Sequence, residues 1–213
     1  MNEPSPTAGR TRQRRKSARP QELLDAALGL FVEKGLAGTR AEDVAARAGV
    51  SKGTLYLYYP SKDELFKAVV RHHLTDVIVV GEDLAARHTG SAASLLRDLA
   101  LTWWRRVGDS QAAGLLVVML AEAKHFPELA QFYVDEVVAP SHALVAKAIQ
   151  YGIDRGEFRP MDVMNAVQAL VAPLQFLIIY RESTSVCAVS EVSLTPEVFI
   201  GNQIELLLHG LLK

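Results

Sequence analysis

Residues 39–65 decide the fold, and they read TRAEDVAARAGVSKGTLYLYYPSKDEL. Thr39 and Ser61 each open an S/T-x-x-E pattern, a capping box whose side chains satisfy the free amides at a helix start. Ser51 is a further candidate N-cap, and Gly49 is a typical residue for a helix end. The stretch therefore predicts two short helices on either side of a glycine turn, followed by one long helix.

A helix, a tight turn and a second helix form the arrangement that places one exposed helix in the DNA major groove. Ala45 and Ala48 are small enough for the two helices to approach closely, and Leu55 is suited to pack inward. The second helix, residues 52–58, carries basic and hydroxyl side chains that suit phosphate oxygens. The pattern favours DNA binding, although an amphipathic helical hairpin has the same spacing.

The rest of the chain also shows helical periodicity. Apolar residues recur at helical spacing over residues 21–34, and Gly35 follows as a stop. Residues 186–192 are the one strand candidate, and their serine neighbours favour a loop. The prediction is an all-α protein with further helices over residues 65–88, 92–107, 111–125, 127–155 (interrupted at Pro140), 163–182 and 196–212.

Composition excludes several classes of protein. The 213 residues are 49% hydrophobic and 22% charged, which is typical of a globular chain and not of a disordered one. Cys187 is the single cysteine, so a disulfide-stapled secreted fold is excluded and a cytoplasmic location is predicted. We expect no secretory signal, and the apolar residues 163–180 are interrupted by polar residues and proline, which favours a core helix over a membrane span.

Charge is unevenly distributed along the chain. Residues 1–60 hold 10 Lys and Arg against 6 Asp and Glu, whereas residues 61–213 hold 13 against 18. A basic end can approach a polyanion while the acidic remainder resists nonspecific adhesion. Residues 1–19 show no periodicity and are predicted to form a disordered basic arm, either as a solvated tail or in contact with nucleic-acid phosphate.

The run from Thr39 to Tyr56, with the residues that follow to Leu65, resembles the signature of TetR-type transcriptional regulators. Residues 122–158 are more weakly similar to carboxy-terminal domains of the same family. The resemblance implies an all-helical homodimer with a three-helix DNA-binding domain. The domains would be residues 1–19 as the arm, 20–64 as the helix-turn-helix domain, and 65–213 as the effector-binding and dimerisation domain.

The resemblance also implies roles for individual residues in DNA binding. Arg40 and Thr54 would face bases or nearby phosphates, and Lys62 would hold a phosphate at the start of the fourth helix. The family commonly has Phe where this chain has Tyr59, so Tyr59 is expected to be a packing residue. The predicted DNA-binding set is Arg40, Lys52, Gly53, Thr54, Tyr56, Tyr58 and Lys62.

An effector pocket is expected among the aromatic residues of the carboxy-terminal part. Trp103 and Trp104 are adjacent, so on a helix they point roughly 100° apart and one of them should be core. Aromatic residues at helical spacing are also what a core needs, and this alternative stays open for each one. The predicted effector-binding residues are Trp103, Phe126, Tyr133 and Phe176.

A dimer interface is expected on the last two helices. The final helix carries a broad apolar stripe that needs a cover, either from the chain's own core or from a second subunit. The homodimer that the resemblance implies favours the second subunit, in a two-by-two helix bundle. The predicted interface residues are Val167, Leu174, Ile200, Ile204 and Leu208.

The sequence predicts no metal site, no cofactor and no membrane association. Glu122 and His125 are three residues apart and offer an acid and a base, but no nucleophile accompanies them, so an enzyme is not favoured. The expected function is a homodimeric repressor that binds a palindromic DNA operator and is released by a small, largely apolar effector. The alternative is an effector-independent helical nucleic-acid-binding or interaction protein.

Overall fold

The structure is a computed structural model that describes the backbone of residues 7–184 and 195–211 and the side chains of residues 20–182 and 195–210. The described residues form helices joined by short turns, which confirms the predicted all-α class. The expected loop at 186–192, with Cys187, lies outside the described residues, as do residues 1–6. The chain divides into two compact units, Met1–His72 and His73–Lys213.

The first unit contains four helices: α1 (Thr7–Gly38), α2 (Ala41–Arg47), α3 (Lys52–Tyr58) and α4 (Lys62–Val70). Helices α2 and α4 both pack on α1, and α3 packs on α2. The rings of Phe31 and Phe66 meet edge to face, 5.3 Å between centroids, and both are fully buried. This aromatic contact joins α1 to α4, so α4 contributes to the core of the first unit.

Two boundaries differ from the sequence predictions. The backbone is helical from Thr7, where a structureless arm was expected; most residues between Arg10 and Arg19 are good helix formers even though they lack an apolar period. The first unit ends at His72, not at residue 64, because Phe66, Val69 and Val70 of α4 are buried. Helix α1 is interrupted at Gly35, the residue predicted to end it, and the φ of 73° there favours glycine.

The second unit begins within a π-helical turn, Arg71–Thr75, and holds seven α-helices among its described residues. Further π-helical turns lie at Trp104–Gly108 and Val134–Val138. Pro140 lies in the first turn of the helix Ala139–Asp154, where the amide N–H that proline lacks would have no acceptor within the helix. The helices are α5 (Asp76–Arg87), α6 (Ala92–Trp103), α7 (Gly114–Glu122), α8 (Pro127–Tyr133), α9 (Ala139–Asp154), α10 (Val163–Thr184) and α11 (Pro196–Leu211).

The core of the second unit lies between α6, α9, α10 and α11. Phe158, fully buried after α9, lies so close to Gly152 that a Cβ there would meet its ring at 2.3 Å. Residues Val163–Glu182 have the length and mean hydropathy, 1.6, of a membrane span. However, the same helix buries Val167, Leu174 and Ile178 in this core, as an interior helix of a folded domain does.

Candidate functional site

The turn between α2 and α3 has the geometry of a helix-turn-helix. The amide of Ala48 donates to the Val44 carbonyl at 2.9 Å, and the amide of Val50 donates to the Ala45 carbonyl at 2.9 Å. Gly49 occupies the left-handed region with a φ of 65°. Leu55, 1% exposed, anchors the inner side of α3. Helix α3 is thereby fixed against α2 while its opposite face stays open.

Side-chain caps set where α3 and α4 begin, as the sequence predicts. The Thr54 amide donates to Ser51 Oγ at 3.1 Å, and the Glu64 amide donates to Ser61 Oγ at 3.1 Å. The predicted capping box at Thr39 is wrong, because Arg40 is the N-cap of α2 and makes no side-chain cap. Thr39 is buried instead.

The hydroxyl of Thr39 belongs to the end of α1. It lies 3.0 Å from the Leu30 carbonyl oxygen and 2.7 Å from the Gly35 carbonyl oxygen. Carbonyl oxygens can only accept hydrogen bonds, so the Thr39 hydroxyl is the donor. Thr39 is 2% exposed, so this contact replaces water at the turn that leads into α2. The Thr39 side chain therefore fixes the end of α1 relative to the turn that leads into α2.

The outer face of α3 carries a compact set of exposed side chains. Lys52 and Gly53 are exposed, Thr54 is half-buried, and the apolar Leu57 is 85% exposed. Tyr56 and Tyr58 are exposed on the same short helix. This face offers one ammonium, several hydroxyls and one aliphatic group, which are the types of group that contact DNA phosphates and thymine methyls.

Ion pairs hold α2 against its neighbours. The Arg47 guanidinium makes two parallel hydrogen bonds of 2.7 Å to the Glu33 carboxylate, and these hold the pKa of Glu33 below its usual range. Lys34 pairs with Asp43 at 3.1 Å. Lys52, predicted to contact DNA, pairs with Glu42, and the hydrogen bond to Glu42 raises the pKa of Lys52.

Three further predicted residues lie around this face. Arg40 is exposed at the start of α2. Lys62 is half-buried, and its ammonium donates to the Leu36 carbonyl at 2.8 Å, a contact with the end of α1 that the sequence does not predict. The Tyr59 hydroxyl donates to the Pro20 carbonyl at 3.4 Å, and burial raises the pKa of Tyr59. The Tyr59 side chain is therefore partly buried and packed within the first unit.

The second unit contains a partly open cavity of about 120 Å³. Helices α5, α6, α9 and α10 supply most of its wall, which is mainly aliphatic. The polar side chains on the wall are Thr102, Tyr133, Ser141, His142 and Gln175, together with the Trp103 indole. A mostly apolar concave site with a few polar groups is the usual form of a small-molecule site.

Two of the four predicted effector residues line this cavity and two do not. Trp103 and Tyr133 lie on the wall. Phe176 is 53% exposed and stacks near Tyr180, 6.0 Å between ring centroids, and Phe126 is half-buried elsewhere. Trp104 is fully buried, so one member of the tryptophan pair is core, as predicted.

The polar wall residues Ser141, His142 and Gln175 are not among the residues predicted from the sequence. A signal for the first two was available in the spacing of α9. Ser141 is three residues before the buried Leu144 and seven before Ala148, so it lies on the inward face of that helix. Gln175 follows Leu174 on a helix that contacts neighbours on several sides, where spacing does not separate wall from core.

The predicted dimer-interface residues are part of the chain's own core, and that interpretation is wrong. All five are between 0 and 6% exposed. An apolar stripe at helical spacing is required by a core and by an interface alike, and here α10 packs on α9 and α11 packs on α6. The five residues are Val167, Leu174, Ile200, Ile204 and Leu208.

Glu122 and His125 do not share a helical face. Helix α7 ends at Glu122, and the His125 amide donates to the Glu122 carbonyl at 2.9 Å in the turn that follows. His125 is exposed, and neither residue lines the cavity.

These features define a class of protein. A chain that contains both a helix-turn-helix unit with an open second helix and a helical unit with an apolar cavity has the form of a transcriptional regulator that binds DNA and a small molecule. The first unit matches the family "Bacterial regulatory proteins, tetR family" over residues 23–69. Residues 86–185 match "Tetracyclin repressor-like, C-terminal domain".

Individual relatives agree with these family matches. The HTH-type transcriptional repressor KstR2 of Rhodococcus jostii is 31% identical over 145 residues, which cover 68% of this chain and 70% of that protein. The HTH-type transcriptional regulator RutR of Escherichia coli is 30% identical over 198 residues, covering 91% and 89%. The structure of FadR from Bacillus subtilis in complex with stearoyl-CoA shares the fold, with a TM-score of 0.73, 20% identity, and coverage of 90% and 98%.

The chain belongs to the TetR family of transcriptional regulators. This confirms the family, the fold class and the DNA-binding regulatory function that the sequence predicts. The repressor names among the relatives support the repressor assignment.

Proposed function

We propose that this protein represses transcription from a palindromic operator as a cytoplasmic homodimer, and that a small effector in the cavity of the second unit releases it from DNA. No catalytic role is included, because the relatives are regulators of transcription. The observation that carries the DNA-binding part of the proposal is the outer face of α3, and Gly53 in particular.

Gly53 is not required by the fold of the chain. A Cβ at this position would meet only Ser51 Oγ, at 3.8 Å, which is ordinary contact. Glycine within a helix is unfavourable by about 0.5–1 kcal/mol relative to alanine, so its presence at the start of an exposed helix needs another reason. Close approach of the helix backbone to a DNA phosphate or base edge supplies that reason.

The neighbouring residues then have complementary roles. Thr54 and Arg40 are proposed to reach base edges or adjacent phosphates, while Lys52, Tyr56 and Tyr58 hold the DNA backbone. Lys52 is paired with Glu42, so on binding it exchanges a carboxylate for a phosphate. We retain Lys62 as a phosphate contact, although its ammonium also donates to the Leu36 carbonyl.

The homodimer is proposed to use a different face from the one expected from sequence. Helices α10 and α11 pack on each other and still carry exposed apolar side chains. A second copy of the chain, related by a two-fold axis, would cover them and form a four-helix contact. The large apolar side chains that the structure describes as exposed on these two helices are Met164, Phe176, Ile179, Val198 and Leu206.

Release by an effector follows from linkage between the two binding events. A ligand that binds more tightly to a conformation with mis-spaced recognition helices weakens DNA binding by the same factor by which DNA weakens ligand binding. The cavity wall in the second unit is the proposed ligand site, with Trp103 and Tyr133 among its residues.

The DNA-binding proposal is tested by Gly53→Ala. We expect the variant to unfold at the same or higher denaturant concentration than the wild type, and to lose at least tenfold in affinity for a selected operator in fluorescence anisotropy. Gly38→Ala is the matched control, since Gly38 is also an exposed helical glycine of the first unit, where a Cβ would meet only Lys34 Cβ, at 3.5 Å. Wild-type operator affinity in Gly53→Ala would show that α3 does not approach DNA closely.

A further inference from the structure

The wall of the cavity in the second unit carries no permanent charge. Its lining, all of it within the described part of the chain, contains no Asp, Glu, Lys or Arg. His142 is the one histidine on the wall. A charged ligand would therefore leave water without gaining an opposite charge, which costs several kcal/mol per ion. The wall is suited to an uncharged guest.

Three polar groups on this wall have no hydrogen-bond partner among the residues that the structure describes. The Tyr133 hydroxyl, the His142 imidazole and the Gln175 carboxamide form no hydrogen bond with any other residue that the structure describes. All three side chains are half-buried, so a guest that displaces water from them is matched best if it carries donors or acceptors of its own. Burial raises the pKa of Tyr133 to about 12, so its hydroxyl keeps its proton and can donate.

The three groups come from different parts of the wall. Tyr133 is the last residue of α8, His142 lies in the first turns of α9, and Gln175 lies in the middle of α10. A phenol donates and accepts, a carboxamide does both, and a neutral imidazole does one of each. Each of them can therefore donate a hydrogen bond to a carbonyl or hydroxyl oxygen of a guest.

The size of the cavity limits the guest in the conformation described. Its volume is about 120 Å³. An apolar cavity of about 150 Å³ in another protein holds one benzene molecule. The cavity therefore accommodates about one ring without movement of the wall.

We infer that the cavity binds an uncharged molecule with an apolar body of about one ring and a hydrogen-bonding oxygen, and that it discriminates against carboxylates and other anions. The regulatory meaning of this binding rests on the proposed function, whereas the binding itself does not. Tyr133 is the specificity-determining residue that contacts the oxygen.

The test is calorimetric titration of the full chain, without DNA, with three probes of similar size: benzyl alcohol, benzoate and toluene. We expect benzyl alcohol to bind most tightly and benzoate to bind at least about a hundredfold more weakly. Tyr133→Phe should weaken benzyl alcohol about threefold to tenfold and leave toluene unchanged, because it removes one neutral hydrogen bond. Tyr151→Phe is the matched control, since that hydroxyl accepts from Arg155 outside the cavity.

Specific outcomes overturn the inference. Benzoate binding as tightly as the alcohol, or no binding of either neutral probe, shows that the guest has a different chemistry. Gln175→Met provides a second variant if Tyr133→Phe does not melt cooperatively, with the same expected split between alcohol and toluene. Equal weakening of both neutral probes by the variant shows a packing role only.

A parallel measurement separates this inference from the proposed function. Anisotropy of an operator complex is followed while each probe is added. Benzyl alcohol that binds the free protein but does not release DNA leaves the cavity chemistry standing and refutes release by an effector. DNA release by benzoate alone supports a regulatory cavity and refutes the proposed chemistry of its guest.

Discussion

Replacing Leu206 by glutamate should dissociate the homodimer without unfolding the subunit. Leu206 is 72% exposed on α11, so its burial against a second copy of the chain would contribute most of the free energy gained by burying a leucine side chain completely. Complete burial of a leucine is worth about 1.5–3 kcal/mol, which leaves about 1–2 kcal/mol at this exposure. A two-fold axis presents each substitution twice, giving about 2–4 kcal/mol. The dissociation constant of the dimer should therefore rise about 30- to 900-fold.

Sedimentation velocity over a range of protein concentrations measures this change, and circular dichroism melting checks the fold. Leu120→Glu is the matched control, because Leu120 is an equally apolar side chain, 61% exposed, on α7; it should stay dimeric. Ile204→Glu, two residues from Leu206 but 3% exposed, should lose its cooperative melt, because it buries a charge in the subunit core. A Leu206→Glu protein with the wild-type dissociation constant, or a folded monomeric Ile204→Glu protein, would refute this assignment of the interface.

Two more predictions concern the first unit. Thr39→Val should lower the free energy of unfolding, measured by urea titration, by about 1–3 kcal/mol, because it removes the hydroxyl that bonds to the Leu30 and Gly35 carbonyls. Thr39→Ser keeps a hydroxyl and should retain most of the wild-type stability. Equal stability of Thr39→Val and the wild type would refute the role of this contact. Thr54→Ala and Arg40→Ala should each cost about 1–3 kcal/mol of operator affinity while sparing nonspecific binding, whereas Lys62→Ala should weaken all DNA and reduce the salt slope by about one. Anisotropy at several salt concentrations distinguishes these outcomes, and three variants that bind like the wild type would contradict the proposed contacts.

The helix-turn-helix was predictable from sequence because its determinants are local. The caps at Ser51 and Ser61 act within three residues, and the Gly49 turn depends on backbone conformation alone. Thr39 shows where a local sequence pattern is not sufficient to predict the role of a side chain. A hydroxyl that fits a capping box also fits two carbonyls nine and four residues earlier, and burial at the α1 turn decides between them.

The interface and cavity were less predictable because they depend on long-range packing. The stripe containing Ile200, Ile204 and Leu208 has the same spacing whether a second subunit or α6 covers it. The side chains left exposed, such as Leu206 and Phe176, lie outside that stripe and become visible only when the core is known. Trp103 and Trp104 illustrate the same point, since adjacency predicts that they diverge but does not tell which one faces the cavity.

A two-fold dimer is expected to present two copies of α3 to DNA. Selection and sequencing of random DNA fragments bound by the purified protein tests it most directly. We expect one enriched palindrome whose half-sites are centred about 10 base pairs, or a multiple of that spacing, apart, and we expect this enrichment to be lost in Gly53→Ala. Fragments that bind without any shared sequence, or that share a single unrepeated site, would contradict it.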